Sequence, residues 1–243
     1  MNRSNLLKKS QSNHLYRLMK FIHDEFTKHK IKYFIIGGTL LGAIRHQGLI
    51  PHDDDGDICI FKKDVPKLRK LFGAFEKNGY ELSEGIGEDE ACIKKKNSCT
   101  WYVDYIKDNI GIGGCDIFVM ENKKDIITYA DPFWEESVNG GEKCYFEKDH
   151  VFPLLPYRFG NFFLYGPHNA ILHLNTCYGR DWNSKGKMLY NHRTGKWSRE
   201  KKRDLLVNDF LTLKPPSDTL DNKVPQVVCE KDNKKSCGKY FKK

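Results

Sequence analysis

Four aspartates fall within five positions, Asp53, Asp54, Asp55 and Asp57, at the head of the apolar run Ile58-Cys59-Ile60-Phe61. In an extended chain successive side chains alternate between faces, so Asp53, Asp55 and Asp57 share one side and Asp54 takes the other. Carboxylates two residues apart lie about 7 Å from one another, and each like-charge pair then costs about 2 kcal/mol at an effective dielectric near 20. Beside a core, that cost calls for a cation. Hard oxygen ligands suit Mg²⁺ or Mn²⁺ and not zinc.

About fifteen residues earlier, Gly37-Gly38-Thr39 separates the strand-like IKYFII from the helix-like LLGAIR. Amides at such a turn and at the helix start hold phosphate; Gly38 lets the backbone approach closely, and the Thr39 hydroxyl adds a donor. A third acidic position is expected from Asp116, which opens an apolar run directly after Gly113-Gly114, with Asp104 as second choice. Two metals held this way would clamp the attacking and leaving oxygens of an in-line displacement at phosphorus. Competing readings of the same residues fail. An EF-hand loop starting at Asp53 has Ile58 at the position that requires Gly and Asp64 at the position of the bidentate Glu. A P-loop starting at Gly37 has Ala43-Ile44 where Lys and Ser or Thr must meet the phosphates. A plain solvated acidic turn is disfavoured by the apolar strand that follows.

Such side chains need a scaffold, and the chain supplies its elements in order. Leu15, Leu18, Met19, Ile22 and Phe26 recur at helical spacing and predict an amphipathic helix over 12–30. Strands are expected at Ile31–Ile36, Ile58–Phe61, Tyr80–Leu82, Trp101–Ile106, Asp116–Met120 and Asp125–Ala130. Asp64 is expected to N-cap a helix with Leu68, Leu71, Phe72 and Phe75 inward, stopped at Asn78-Gly79. Two aromatic strands flank Gly160, and a helix over Asn169–Tyr178 ends at Gly179. The class is α/β (α+β), with a mixed, partly antiparallel sheet.

The 243 residues include 39% hydrophobic and 30% charged side chains, enough for one well-buried core, which excludes a disordered or fibrous chain. The +9 net charge sits at the ends: residues 1–20 carry five basic and no acidic side chains, residues 214–243 carry eight Lys against four acids, and the span between is neutral. A specific nucleic-acid groove in the body is therefore not expected; the basic ends suit weak contact with anionic surfaces. Three segments follow: a basic segment over 1–11, the folded domain over 12–213, and a basic disordered tail over 214–243. The eight cysteines contain no CxxC and read as reduced thiols, Cys59 and Cys115 as small buried hydrophobes. No run of 18 apolar residues and no secretory leader is present, which predicts a cytoplasmic protein.

GGTLLGAIRHQGLIPHDDDGDI resembles the signature of the LicD family, whose members include bacterial phosphocholine transferases and fukutin-type ribitol-phosphate transferases of the nucleotidyltransferase fold superfamily. Asp116-Ile117-Phe118 resembles its downstream D-I-F element, and residues 152–182 resemble its closing FP, PxN and YG-x-x-W elements. Two positions depart from the pattern: His52 stands where Trp is usual, and Gly56 where a bulky apolar residue is usual. The resemblance implies a nucleotidyltransferase-like mixed sheet with flanking helices and a C-terminal helical and aromatic extension. It implies a Mg²⁺- or Mn²⁺-dependent transferase that moves a phospho-alcohol from a CDP-alcohol donor to a sugar hydroxyl of a glycan or glycolipid acceptor, releasing CMP. Carried over, Asp55 and Asp57 bind metal, Asp53 is a further ligand or orienting group, and Asp116 is the third ligand or the base. Gly37, Gly38, Thr39, Arg45 and His46 are candidates to face the donor phosphates, although Arg45 reads equally as a surface ion pair and His46 and His52 read better as structural or solvent-facing. Arg158, Tyr178 and Arg180 are candidates for the acceptor side, although Tyr178 reads better as a helix anchor and Trp182 as a cap on the core. Lys94, Lys95 and Lys96 would steer an anionic donor or form a solvated loop. Two other readings remain: nucleotidyl transfer from an NTP, and a degenerate glycan- or nucleotide-binding protein.

Overall fold

The computed structural model describes residues 6–85, 100–105, 114–131, 134, 145–186, 190–191, 196–197 and 202–221. Helix α1 (Lys9–Lys28) forms where the periodicity predicts it, and Leu15, Leu18, Met19, Ile22 and Phe26 are fully buried along one face. That stripe rests on a mixed sheet of β1 (Tyr33–Ile35), β2 (Gly56–Phe61), β3 (Tyr80–Gly85), β4 (Thr100–Tyr105), β5 (Cys115–Lys123), β6 (Ile126–Tyr129) and β7 (Tyr145–Glu147). The central order is β1-β2-β5-β4-β3, with β6 on the far end of β5 and β7 on β6. Only β2 and β5 run parallel; the other pairs are antiparallel.

Both faces of this sheet are covered, which is why 58–61 reads as an unbroken apolar run. Ile58 and Ile60 join Trp101, Val103, Ile117 and Val119 beneath α1. Cys59 and Phe61 join Phe34, Phe118 and Met120 on the opposite side, against Val151 and Phe152. The hairpin β8 (Leu155–Phe159) and β9 (Phe162–Gly166) turns at Gly160, whose φ of +69° suits glycine. It packs on α1 through Tyr16, edge-on to Phe159 and Phe162. The Tyr16 hydroxyl donates to the Leu213 carbonyl at 2.9 Å and accepts from the Leu49 amide at 3.2 Å, tying the loop before β2 to the C-terminal segment.

Helix α2 (Gly37–Arg45) starts at the glycine pair itself. The helix expected after Asp64 breaks in two, α3 (Val65–Arg69) and α4 (Phe72–Lys77). Asp64 does not cap it; its carboxylate accepts from Lys67 Nζ at 2.5 Å and from the Lys32 amide at 3.4 Å. The break turns Phe72 outward, 41% exposed, with its ring tilted against Trp101, where an inward side chain was expected. A short helix, α5 (Lys148–Val151), precedes β8. Helix α6 (Ala170–Tyr178) is capped by Asn169 Oδ1, which accepts from the Leu172 amide at 3.1 Å, and ends at Gly179.

Beyond α6 come the short strands β10 (Lys185–Gly186), β11 (Tyr190–Asn191), β12 (Lys196–Trp197) and β13 (Arg203–Asp204), paired β10 with β13 and β11 with β12. Order continues past the expected boundary at 213. Asn161 donates to the Pro216 carbonyl at 3.0 Å and accepts from the Asp221 amide, and Arg17 pairs with Asp218 at 2.8 Å. Residues 214–221 are thus packed onto the hairpin. The Lys94–Lys96 run and residues 222–243 lie outside the described residues. Among the described residues Cys59, Cys115 and Cys177 are free thiols, and no helix is long and apolar enough to cross a membrane.

Candidate functional site

Parallel pairing of β2 and β5 sets Asp57 directly beside Asp116, and this register brings together two carboxylates 59 positions apart in the chain. Asp55 joins them from the loop. Each of Asp55, Asp57 and Asp116 offers a carboxylate oxygen within 4.8 Å of the others, and all three are partly buried. The alternation expected over 53–57 starts only at Gly56, where β2 begins, so Asp53, Asp54 and Asp55 lie in the preceding loop. Burial pushes the Asp57 carboxyl well above its ordinary range, the charges of Asp55 and Asp116 push it further, and hydrogen bonds from Thr39 and Gly38 oppose the shift. A carboxylate in that position takes up a proton or a cation. Three converging oxygen donors suit a hard divalent ion, so the residues present fit Mg²⁺ or Mn²⁺.

The glycine pair serves these carboxylates directly. The Gly38 amide donates to Asp57 Oδ2 at 3.0 Å, and the Asp57 amide donates to Thr39 Oγ1 at 2.8 Å. A Cβ on Gly37, whose φ is +55°, would stand 2.6 Å from Asp57 Oδ2; one on Gly38 would stand 2.2 Å from Asp53 Oδ2. Only glycines let both side chains lie against the first turn of α2, whose positive dipole end faces them. The sequence reading gave the Gly38 amide and the Thr39 hydroxyl to a phosphate. In the structure the amide is engaged by Asp57, and buried Thr39 acts as an acceptor that fixes the start of β2.

Arg45, at the end of α2, donates through Nη1 to the Trp182 carbonyl at 2.9 Å, and the charges of Tyr178, Asp53 and Asp209 favour its cationic form against the burial that lowers its pKa. His46, a candidate for the donor phosphates that reads better as structural, is buried, with Nε2 2.8 Å from the Asp209 carbonyl and its ring stacked on Phe210. Burial lowers its pKa to about 4, so it is neutral and holds the C-terminal segment. Tyr178 is the last residue of α6. Burial raises its phenol well above 10, and the charges of Asp57, Asp53 and Asp55 add to the shift, which marks a hydroxyl in the field of the cluster. Its place one residue before Gly179 was the available signal, read as an anchor. Trp182 does cap the core, with Nε1 donating to Asn175 Oδ1 at 2.9 Å.

The two departures from the family pattern have structural counterparts. A Cβ on Gly56 would come 2.6 Å from Met19 Sδ, so α1 occupies the space a larger side chain would take. His52 is partly buried and, through burial and the nearby Arg45 charge, has its pKa lowered to about 4. Arg158 is exposed on the hairpin, its Nε donating to the Gly160 carbonyl at 3.0 Å, and Arg180 is exposed beyond α6. Cys115 sits near Gly56 with its thiol pushed up by burial, and Cys59 lies on the other face of the sheet. Asp104 is exposed on β4, across from Glu81.

The family described as LicD/FKTN/FKRP, nucleotidyltransferase domain, matches residues 30–169, a span that contains Asp53, Asp55, Asp57 and Asp116. The uncharacterized protein RP689 of Rickettsia prowazekii is 34% identical over 177 residues, 73% of this chain and 58% of that protein. The lipopolysaccharide cholinephosphotransferase LicD of Haemophilus influenzae is 43% identical over 51 residues, 21% of this chain and 19% of that protein. The human ribitol 5-phosphate transferase FKRP is 32% identical over 79 residues, 30% of this chain and 16% of that protein. The chain spans about half the length of the first curated relatives it matches.

Proposed function

The chain belongs to the LicD family, and on that premise we propose that it transfers a phospho-alcohol from a CDP-activated donor to a sugar hydroxyl of a glycan or glycolipid, releasing CMP. The observation that carries this reading is the convergence of Asp55, Asp57 and Asp116 within 4.8 Å, with Asp57 raised by burial and then by its neighbours' charges. Choline phosphate and ribitol phosphate, named in two relatives, share a phosphodiester-forming transfer of an alcohol phosphate, so the class is supported more broadly than any one alcohol.

Asp55, Asp57 and Asp116 would hold the divalent ion. When bound there, Mg²⁺ or Mn²⁺ supplies positive charge to the oxygens of the phosphoryl group in transfer. Asp53, seated on Gly38, braces the loop that presents Asp55. Arg45 adds positive potential on the donor side, and Tyr178 presents a neutral hydroxyl to the same space, its phenol pKa being raised. Carboxylates of the cluster take the proton that the acceptor hydroxyl gives up.

The test is product analysis with CDP-choline, CDP-ribitol and CDP-glycerol, each with Mn²⁺ and a glycan acceptor, on the wild type and Asp57→Ala. Metal-dependent CMP release with one donor, lost in Asp57→Ala, is expected. Pyrophosphate release from an NTP, or CMP release that survives Asp57→Ala, would overturn the reading.

A further inference from the structure

Between Lys202 and Leu213 the chain forms a strap whose fixed points are polar and whose exposed side chains include three large apolar ones. Arg203 grips the Asp209 carboxylate with two hydrogen bonds of 2.7 Å each, and the Leu206 amide donates to Asp209 Oδ2 at 2.7 Å. The Leu205 amide donates to the Ser184 carbonyl at 2.7 Å, the Asp209 carbonyl meets His46 Nε2, and Phe210 stacks on the His46 ring. Held in this way, Leu206, Phe210 and Leu211 are 61%, 42% and 48% exposed. Single exposed apolar side chains are ordinary on a protein surface, but three large ones within six residues, on a segment pinned at both ends, concentrate apolar surface on the strap.

Within the strap the charges balance, Lys202 and Arg203 against Asp204 and Asp209, and the excess of cations lies in its flanks. Residues 180–214 carry ten Lys and Arg against four Asp and Glu. Arg180, Lys185 and Lys214 are exposed, and Lys202 pairs with Asp181 at 2.6 Å. This segment lies beyond residues 30–169, so the family match does not account for it. The patch adjoins the carboxylate site through His46, next in sequence to Arg45, and through the Trp182 carbonyl that Arg45 holds.

We infer that the strap is a docking surface for an anionic phospholipid bilayer, with Leu206, Phe210 and Leu211 entering the headgroup layer and the flanking cations Arg180, Lys185 and Lys214 meeting lipid phosphates. Apolar side chains rimmed by Lys and Arg are what an interfacial segment needs. A nucleic acid would use the cations and leave the leucines without a partner, so the exposed leucines favour lipid. Docking there places the site beside the membrane surface, within reach of an acceptor glycan carried on a lipid.

The test is flotation of the full chain with phosphatidylcholine vesicles, with and without phosphatidylglycerol, for the wild type, Leu206→Ser/Leu211→Ser and the milder Leu206→Ala/Leu211→Ala. Binding that requires phosphatidylglycerol and falls about tenfold or more in the serine variant, with an intermediate loss in the alanine variant, is expected. Thermal unfolding of each variant checks that the fold is retained; should the serine variant unfold, the alanine variant alone decides. No binding to either vesicle, binding unchanged by the substitutions, or tighter binding to DNA than to vesicles with the leucines indifferent, would overturn the inference. Vesicle binding requires no turnover, so its result is independent of the group the site transfers.

Discussion

Replacing Asp55 by Asn keeps the side chain's shape and removes one charge from the triad; it is expected to stabilise the cation-free protein at neutral pH and to abolish its response to Mn²⁺. With oxygens 4.8 Å apart, the widest spacing within the triad, each fully ionised pair costs about 3.5 kcal/mol at a dielectric near 20 and under about 1 kcal/mol in bulk water. The groups are partly buried and share protons, so fewer than all pairs are charged at once, and the net gain expected is about 1–2 kcal/mol. For a domain of this size that is a rise of about 2–8 °C in Tm. The sign follows from Asp57, whose native pKa lies above its ordinary 3.8. Such a carboxyl stabilises the fold in its protonated form, fully below the unfolded pKa, and gives that contribution up as pH rises through the native value. The advantage of Asp55→Asn over wild type should therefore be greatest above neutrality and shrink as pH falls. The comparison must be made between variant and wild type at each pH, because His23, His46, His52 and His173 are held to about 4 by burial. Their neutral forms stabilise the fold above pH 6.5 and lose that contribution as pH falls towards 4. The assay is thermal unfolding in EDTA from pH 5 to 8, then with Mn²⁺ added. A lower Tm for Asp55→Asn in EDTA at neutral pH, or a Mn²⁺ shift equal to that of the wild type, would refute the reasoning, since the carboxylate would then be a structural acceptor.

Gly38→Ala forces Asp53 away from a Cβ that would stand 2.2 Å from its Oδ2; turnover should fall at least about tenfold while Tm changes little, because the helix-propensity gain of about 1 kcal/mol opposes the clash. Thr39→Val leaves the Asp57 amide without its 2.8 Å acceptor, and urea unfolding should show a loss of about 1–3 kcal/mol that Thr39→Ser largely restores. Tyr178→Phe keeps the ring and removes the hydroxyl set in the field of Asp57, Asp53 and Asp55; unchanged unfolding with kcat reduced about tenfold is expected, and unchanged kcat would assign the residue to packing alone. Arg203→Met removes the partner that holds the Asp209 carboxyl below its ordinary range. The deficit, about 1–3 kcal/mol, should be full at pH 7 and close as pH falls below the ordinary carboxyl value, which a pH series of urea unfolding would measure.

The site residues that lie on regular elements were legible; their partners were not. Asp57 and Asp116 each open an apolar run, and the parallel register that joins them follows from two buried strands running side by side. The use of the glycine pair was hidden, because a turn that frees amides for a phosphate and one that frees them for a carboxylate 19 positions onward have the same local sequence. His46 shows the same limit at longer range: its partner is the carbonyl of Asp209, 163 positions away, and no periodicity encodes that contact. Phe72 kept its helical spacing relative to Leu68 and Phe75, yet the break at Lys70-Leu71 rotated it outward. Past residue 213, composition favoured disorder, but the Pro215-Pro216 turn is held by Asn161 and Thr219 side chains that composition does not weigh.

Charge carried the largest hidden signal. The span from 21 to 213 is neutral only as an average: residues 21–179 hold 24 acidic against 19 basic side chains, and residues 180–213 hold nine basic against four acidic. A site built on clustered carboxylates repels the anionic donor it is proposed to use, and the repulsion acts before any contact is made. Cations within a Debye length of about 8–10 Å offset that field where the donor arrives. Arg45, partly buried, has its pKa lowered by burial while the charges of Tyr178 and Asp53 oppose that shift, and it is placed to do so at the site itself. Arg180, Lys185 and Lys214 flank the strap that His46 joins to α2, and they add exposed positive charge there. On the proposed reading, carboxylates that gather a divalent ion and cations that offset their charge towards a phosphate-bearing donor are both needed for the reaction.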